Sequence, residues 1–115
     1  MIAVIFEVTP NEKDREGYLA LGRKMGPLAE GIDGFISIER FQSLTDPKKM
    51  LSLSFWRDEE ALAEWRNLQQ HRAAQKAGRE QYFEDYRLRV VSVIRDYGMT
   101  DREQAPSDSK AIHGA

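Results

Sequence analysis

Apolar side chains recur at every second position through Ile2, Val4, Phe6 and Val8, with Ala3 and Ile5 between them. The chain therefore opens as a strand that is apolar on both faces and needs cover on both sides. Thr9-Pro10-Asn11 ends that pattern, and the period changes. Tyr18, Leu21, Met25, Leu28 and Ile32 fall on one stripe at helical spacing, while Lys13, Asp14, Arg15, Glu16 and Lys24 lie mostly away from it. This predicts a helix to about Glu30, kinked or restarted at Gly26-Pro27. Gly31 and Gly34 flank Asp33 with turn chemistry.

Phe35–Phe41 reads as a second strand and Met50–Trp56 as a third, joined through the turn Thr45-Asp46-Pro47-Lys48 as an antiparallel hairpin. In the third strand Leu51, Leu53 and Phe55 alternate with Ser52, Ser54 and Trp56. Asp58 is placed to cap the next helix, with Glu59 and Glu60 in its first turn, where the helix dipole favours acids. Ala61, Leu62, Trp65 and Leu68 continue it, and the helical region runs to about Phe83 with a break near Gly78. Tyr86–Tyr97 is expected as the fourth strand, with Leu88, Val90 and Ile94 on one face and Arg87, Arg89, Val91, Val93 and Arg95 on the other. The order β-α-β-β-α-β is the ferredoxin-like α+β arrangement, a four-stranded antiparallel sheet with helices on one face. The other face, equally apolar in the first and last strands, calls for a second copy packed against it.

At 115 residues the chain makes one domain, expected over 1–97, followed by a polar 98–115 tail expected to be disordered. A net charge of -2 gives no footprint for nucleic acid or an anionic membrane. Cysteine is absent, which excludes disulfides, thiolate metal sites and a cysteine nucleophile. The opening apolar run is too short for a secretory leader, and no stretch approaches membrane-spanning length, so a cytoplasmic protein is expected. His71 and His113 are the only histidines, so no histidine-based metal cluster is expected, and no glycine-rich phosphate loop occurs.

Gly34-Phe35 opening strand two, Phe55-Trp56 closing strand three, Ala63-Glu64-Trp65 in the helix and the later His71 together resemble the antibiotic biosynthesis monooxygenase family over roughly residues 2–97. The resemblance implies a homodimer joined through the sheet face into an α+β barrel. It further implies a cofactor-independent monooxygenase of small polycyclic aromatic phenols or quinols, in which the substrate supplies the electrons and no metal or flavin is needed. The alternative within the same fold is a small-ligand-binding or stress-related dimer without turnover. The haem-degrading branch of the family carries an asparagine on strand one and a histidine ten residues after its tryptophan. Here strand one offers Phe6 and Glu7, and Gln75 stands ten residues after Trp65, so haem of that kind is not expected.

On this reading His71 and Trp65 are the catalytic candidates, and Trp56, Arg40, Arg72, Phe83 and Tyr86 would bind a flat aromatic ligand. Each has a plainer role beside it. Trp65 lies on the apolar stripe as a core tryptophan would, and Trp56 suits a dimer interface as well as a pocket wall. Arg40 invites a cross-strand ion pair, and Phe83 and Tyr86 invite core or rim packing. His71 falls about a quarter-turn outside the helical stripe if the helix is unbroken, and a break near Asn67 or Gln70 would change its direction.

Overall fold

The computed structural model describes residues 1–113, apart from the side chains of Gln69 and Gln70. β1 (Ile2–Pro10) is an interior strand, paired antiparallel on one side with β3 (Met50–Trp56) and on the other with β4 (Phe83–Ser92). β2 (Phe35–Gln42) completes the sheet beside β3, giving the order β2-β3-β1-β4. α1 (Arg15–Glu30) lies between β1 and β2, and α2 (Glu59–Asn67) and α3 (Gln69–Ala77) lie between β3 and β4. This is the ferredoxin-like α+β fold that the element order predicts.

The register fixes what each face carries. Ile38, Ser54, Val4 and Val90 form one cross-sheet row facing the helices, and Arg40, Ser52, Phe6 and Leu88 form the next. Val4 and Trp56 pack against Ala29 of α1 and Ala61, Leu62 and Trp65 of α2 in the larger core. Val8, Tyr18 and Met50 make a second cluster near the other end of the strands. Alternation therefore turns Ile5, Leu51, Leu53, Phe55, Phe41 and Val91 to the face away from the helices. β3 thus gives its leucines to the open face and its serines to the helix side.

Local chemistry explains the boundaries. Asp58 caps α2, its Oδ1 accepting from the Ala61 amide at 2.9 Å. Gly34 adopts φ 92°, and a Cβ there would stand 2.7 Å from that of Ala61, so the turn into β2 requires glycine. α1 runs through Pro27 to Glu30 without ending.

Two expectations are corrected. The second helical region divides at Leu68, whose backbone is extended (φ -60°, ψ 131°), as well as at a π-helical turn over Gly78–Tyr82. β4 begins at Phe83 and stops at Ser92 instead of spanning Tyr86–Tyr97: its ladder with β1 ends at Ile2 and Ser92, one more bond joins the Val93 amide to the Met1 carbonyl, and Ile94 lies outside the sheet. Beyond residue 97, Ser107–His113 forms a short helix, α4. There the Arg102 guanidinium lies over the Tyr97 ring and donates to the Gly98 carbonyl and the Ser109 hydroxyl through its two terminal nitrogens, while its buried Nε has no partner among the described residues. Residues 114–115 of the expected tail lie outside the described residues. Among the described residues no helix is long and apolar enough to cross a membrane.

Candidate active site

The helices leave the middle of the sheet uncovered. Between α1, α3 and the helix-facing rows lies an open-sided cavity of about 930 Å³, floored by Val4, Phe6, Ser52 and Ser54. It opens along the edge strand β4, where Leu88 and Val90 line the cavity and remain 51% and 44% exposed. A tricyclic ligand needs a few hundred cubic ångströms, which this space exceeds.

The break at Leu68 decides where His71 points. An extended residue between two helices resets the angular phase, and the imidazole folds back onto Trp65, rings 18° from parallel with centroids 4.1 Å apart. His71 Nδ1 lies 3.0 Å from the Trp65 carbonyl oxygen. A carbonyl only accepts, so this contact assigns the proton of the neutral ring to Nδ1 and leaves Nε2 with its lone pair. Burial holds the His71 pKa below the ordinary imidazole value and the Arg72 charge adds to this, while the Trp65 carbonyl opposes it. At neutral pH the ring is uncharged, a base lining a cavity.

Trp65 lies between two partners. One face carries His71, and on the other side Trp56 stacks at a 6.0 Å centroid distance. Trp56 is fully buried, its Nε1 donating to Ser54 Oγ at 2.9 Å. Of the residues expected to meet ligand, Trp65, His71, Arg40, Arg72, Phe83 and Tyr86 line the cavity, whereas Trp56 stands behind Trp65 as core. Phe83, Tyr86 and Phe6 form a mutually tilted aromatic wall with centroids 5.6–5.7 Å apart.

Arg40 does not make the cross-strand ion pair its neighbourhood suggested. Among the described residues no carboxylate lies within ion-pair distance of it. Its guanidinium sits 5.7 Å from the Tyr18 ring centroid instead, in a gap on α1 where Gly22 has no side chain. Arg72 donates to Asn67 Oδ1 across the Leu68 break. On the open face Arg89 pairs with Glu7 at 3.0 Å, away from the cavity.

The sequence reading passed over Tyr18, Gly22, Ser52, Ser54, Arg66, Lys76 and Arg79, all of which line the cavity. One signal was present: Arg72, Gln75, Lys76 and Arg79 recur at the i, i+3, i+4, i+7 spacing of a single helix face. Among the described residues no group of three or more His, Asp or Glu side chains stands close enough to hold a metal ion.

Comparison with known proteins agrees with this architecture. The sequence profile of the family described as antibiotic biosynthesis monooxygenase matches residues 1–77. A protein of Pyricularia oryzae named jasmonate monooxygenase ABM is 46% identical over 93 residues, 81% of this chain and 43% of that protein, so this chain spans less than half its length. The uncharacterized protein YqjZ of Bacillus subtilis is 32% identical over 93 residues, covering 81% of this chain and 79% of that one. Among solved structures, Rv0793 of Mycobacterium tuberculosis superposes with a TM-score of 0.76 at 20% identity, covering 84% of this chain and 98% of that one. A protein of Deinococcus radiodurans gives 0.77 at 13% identity, covering 85% and 97% respectively. The structural matches establish the fold, and the profile match with its two sequence relatives establishes the lineage: this chain belongs to the antibiotic biosynthesis monooxygenase family.

Proposed function

We propose that this chain is a cofactor-independent monooxygenase of small, flat, ionisable substrates such as polycyclic phenols and quinols, with His71 as its base and Trp65 as the ring that holds that base at the cavity wall. The observation that carries the reading is the neutral, Nδ1-protonated imidazole stacked on Trp65 in a cavity large enough for such a ligand. The family membership and the jasmonate monooxygenase relative support oxygenation as the chemistry.

The step needs no outside reductant for a methylene or phenol activated by aromatic rings. His71 Nε2 takes the substrate's proton, and the resulting carbanion or phenolate passes an electron to O2. The radical pair then joins as a peroxide. Loss of water leaves a new carbonyl, with one oxygen atom in the product and the other in water. All four electrons come from the substrate, and the His71 proton returns to the departing hydroxide. The aromatic wall of Phe6, Phe83 and Tyr86 gives the anion's ring system an apolar surface, and Arg72 offers positive charge to it.

A second copy of the chain completes the fold in this proposal, covering the sheet face that the helices leave open. That face carries Leu51, Leu53 and Phe55 in its middle, and Phe41 and Ile36 on its β2 margin are 42% and 49% exposed. An apolar surface of this kind is the ordinary mark of an interface.

The test is oxygen uptake by purified protein with anthrones, quinols and jasmonate. His71→Ala should lower kcat/KM by about 100-fold or more, the usual contribution of a positioned base, and Trp65→Phe should lower kcat as His71 loses the ring that positions it. If no compound in the panel consumes oxygen, the reading passes to a ligand-binding protein without turnover.

A further inference from the structure

We propose that the cavity takes its ligand as an anion, with Arg40 holding a carboxylate of a small apolar acid in the corner formed by Tyr18, Gly22 and Ser52. This names the substrate class for the site described above and rests on that site being where ligand binds. It does not need turnover to be tested.

The chain as a whole carries a net charge of -2, yet the cavity lining reverses the sign: Arg40, Arg66, Arg72, Lys76 and Arg79 face it with Glu80 as the one acid. Four of these cations ride on the helical wall, but Arg40 rises from the sheet floor, where an interior-facing position would ordinarily be apolar. Two neighbours accommodate it. Tyr18 gives the guanidinium a ring face at 5.7 Å, and Gly22 gives it room, because a Cβ built at Gly22 would overlap the guanidinium nitrogens. Ser52, its cross-strand partner, places a hydroxyl beside it on the same face. A partly buried arginine supported in this way, with no carboxylate in range among the described residues, is free to take its counter-ion from a ligand in the cavity. Its planar fork fits the two oxygens of a carboxylate better than the single oxygen of a phenolate.

Position adds to chemistry. The Arg40–Ser52 row is one two-residue step along the strands, about 7 Å, from the Ile38–Ser54–Val4–Val90 row against whose Val4 the side chains of Leu62 and Trp65 pack. A carboxylate on Arg40 would therefore leave the ligand's apolar body lying towards Trp65 and His71.

The experiment is binding, followed by quenching of tryptophan fluorescence and by calorimetry, with acid and ester pairs: jasmonate and methyl jasmonate, naphthaleneacetate and its methyl ester. At least one acid should bind about tenfold or more tighter than its ester. Arg40→Gln should weaken the acid by about 10- to 100-fold, as expected for loss of a charge-assisted hydrogen bond, and leave the ester unchanged. Arg40→Lys should fall between them. Gly22→Ala displaces only the flexible end of Arg40 and should reproduce the loss in a folded protein. Esters binding as tightly as acids, acids indifferent to both Arg40→Gln and Gly22→Ala, or no acid binding would each overturn the proposal. Acid binding without oxygen uptake would sink the oxygenase reading alone. Uptake with neutral quinols while acids fail to bind would sink the carboxylate anchor alone.

Discussion

The imidazole of His71 lies parallel to the indole of Trp65, and its Nδ1 meets the carbonyl oxygen of that same residue at 3.0 Å. One tryptophan thus positions the histidine twice, by its ring and by its backbone. The arrangement exists because Leu68 is extended between two helices, so six residues of chain return the side chain to the face it left. A continuous helix would put residues six apart on different faces.

A pH dependence follows from the burial of that imidazole. The His71 pKa is lowered in the folded protein, so the unfolded chain, titrating near the ordinary value of about 6.5, takes up a proton that the folded chain resists. By linkage, stability should fall as pH drops below that value, and level off once the folded pKa is passed. His71→Gln should flatten this slope. Urea unfolding at several pH values between 7.5 and 5.5 isolates the effect, since the shifted carboxylates Glu7, Glu12 and Asp58 are lowered and titrate in a more acidic range. Activity should show an acid limb displaced in the same direction, because protonated His71 is no longer a base. A wild-type slope equal to that of the variant would remove His71 as the buried titrating group.

Ser54 and Trp56 form a buried pair whose two halves are unequal. Ser54→Ala leaves the Trp56 indole N–H without its acceptor and should cost about 1–3 kcal/mol. Trp56→Phe removes the donor and part of the core. Once phenylalanine is present the same serine change should cost much less. A double-mutant cycle in urea reads the coupling, and additive losses would mean that the 2.9 Å bond contributes little.

Gly34 is set by two constraints at once, a positive φ and the Cβ of Ala61. Gly34→Ala should destabilise by roughly 1–3 kcal/mol, with a lower melting temperature and no change in oligomeric state. Pairing it with Ala61→Gly should return the steric part of the loss and leave the backbone part.

The sequence carried the element order, the Asp58 cap, the β2–β3 hairpin and the glycine turn at 34, because each rests on a local rule that burial reinforces. Of the candidate site, the same reasoning picked out Trp65, His71, Arg40, Arg72, Phe83 and Tyr86, which line one cavity. Other features were set by neighbours in space. The extension at Leu68 has no glycine or proline to announce it. The ladder of β4 with β1 ends at Ser92, although the apolar alternation of β4 runs on to Ile94, so its length is set by pairing and not by its own pattern. Trp56 and Ser54 alternate with leucines in a strand whose two faces both look buried, and only the placement of α2 shows that the tryptophan belongs to the core and the leucines to the open face. The Gly22 gap is visible only once Arg40 is seen to fill it.

The open sheet face yields the last prediction. Leu53 lies in the middle of β3 on that face, paired with Ile5 of β1 and Glu39 of β2. Leu53→Glu places a carboxylate beside Glu39 in the centre of the proposed interface, where burial without a cation costs far more than exposure to water. Light scattering should report a dimer for the wild type and a monomer for the variant. Circular dichroism should stay native, because neither core cluster uses Leu53. Leu88→Glu is the matched control: it lies on the cavity side of β4, so it should leave the dimer intact while weakening apolar ligands. A monomeric wild type would end the idea that a second copy covers this face. A dimer that survives Leu53→Glu would move the interface elsewhere on the molecule.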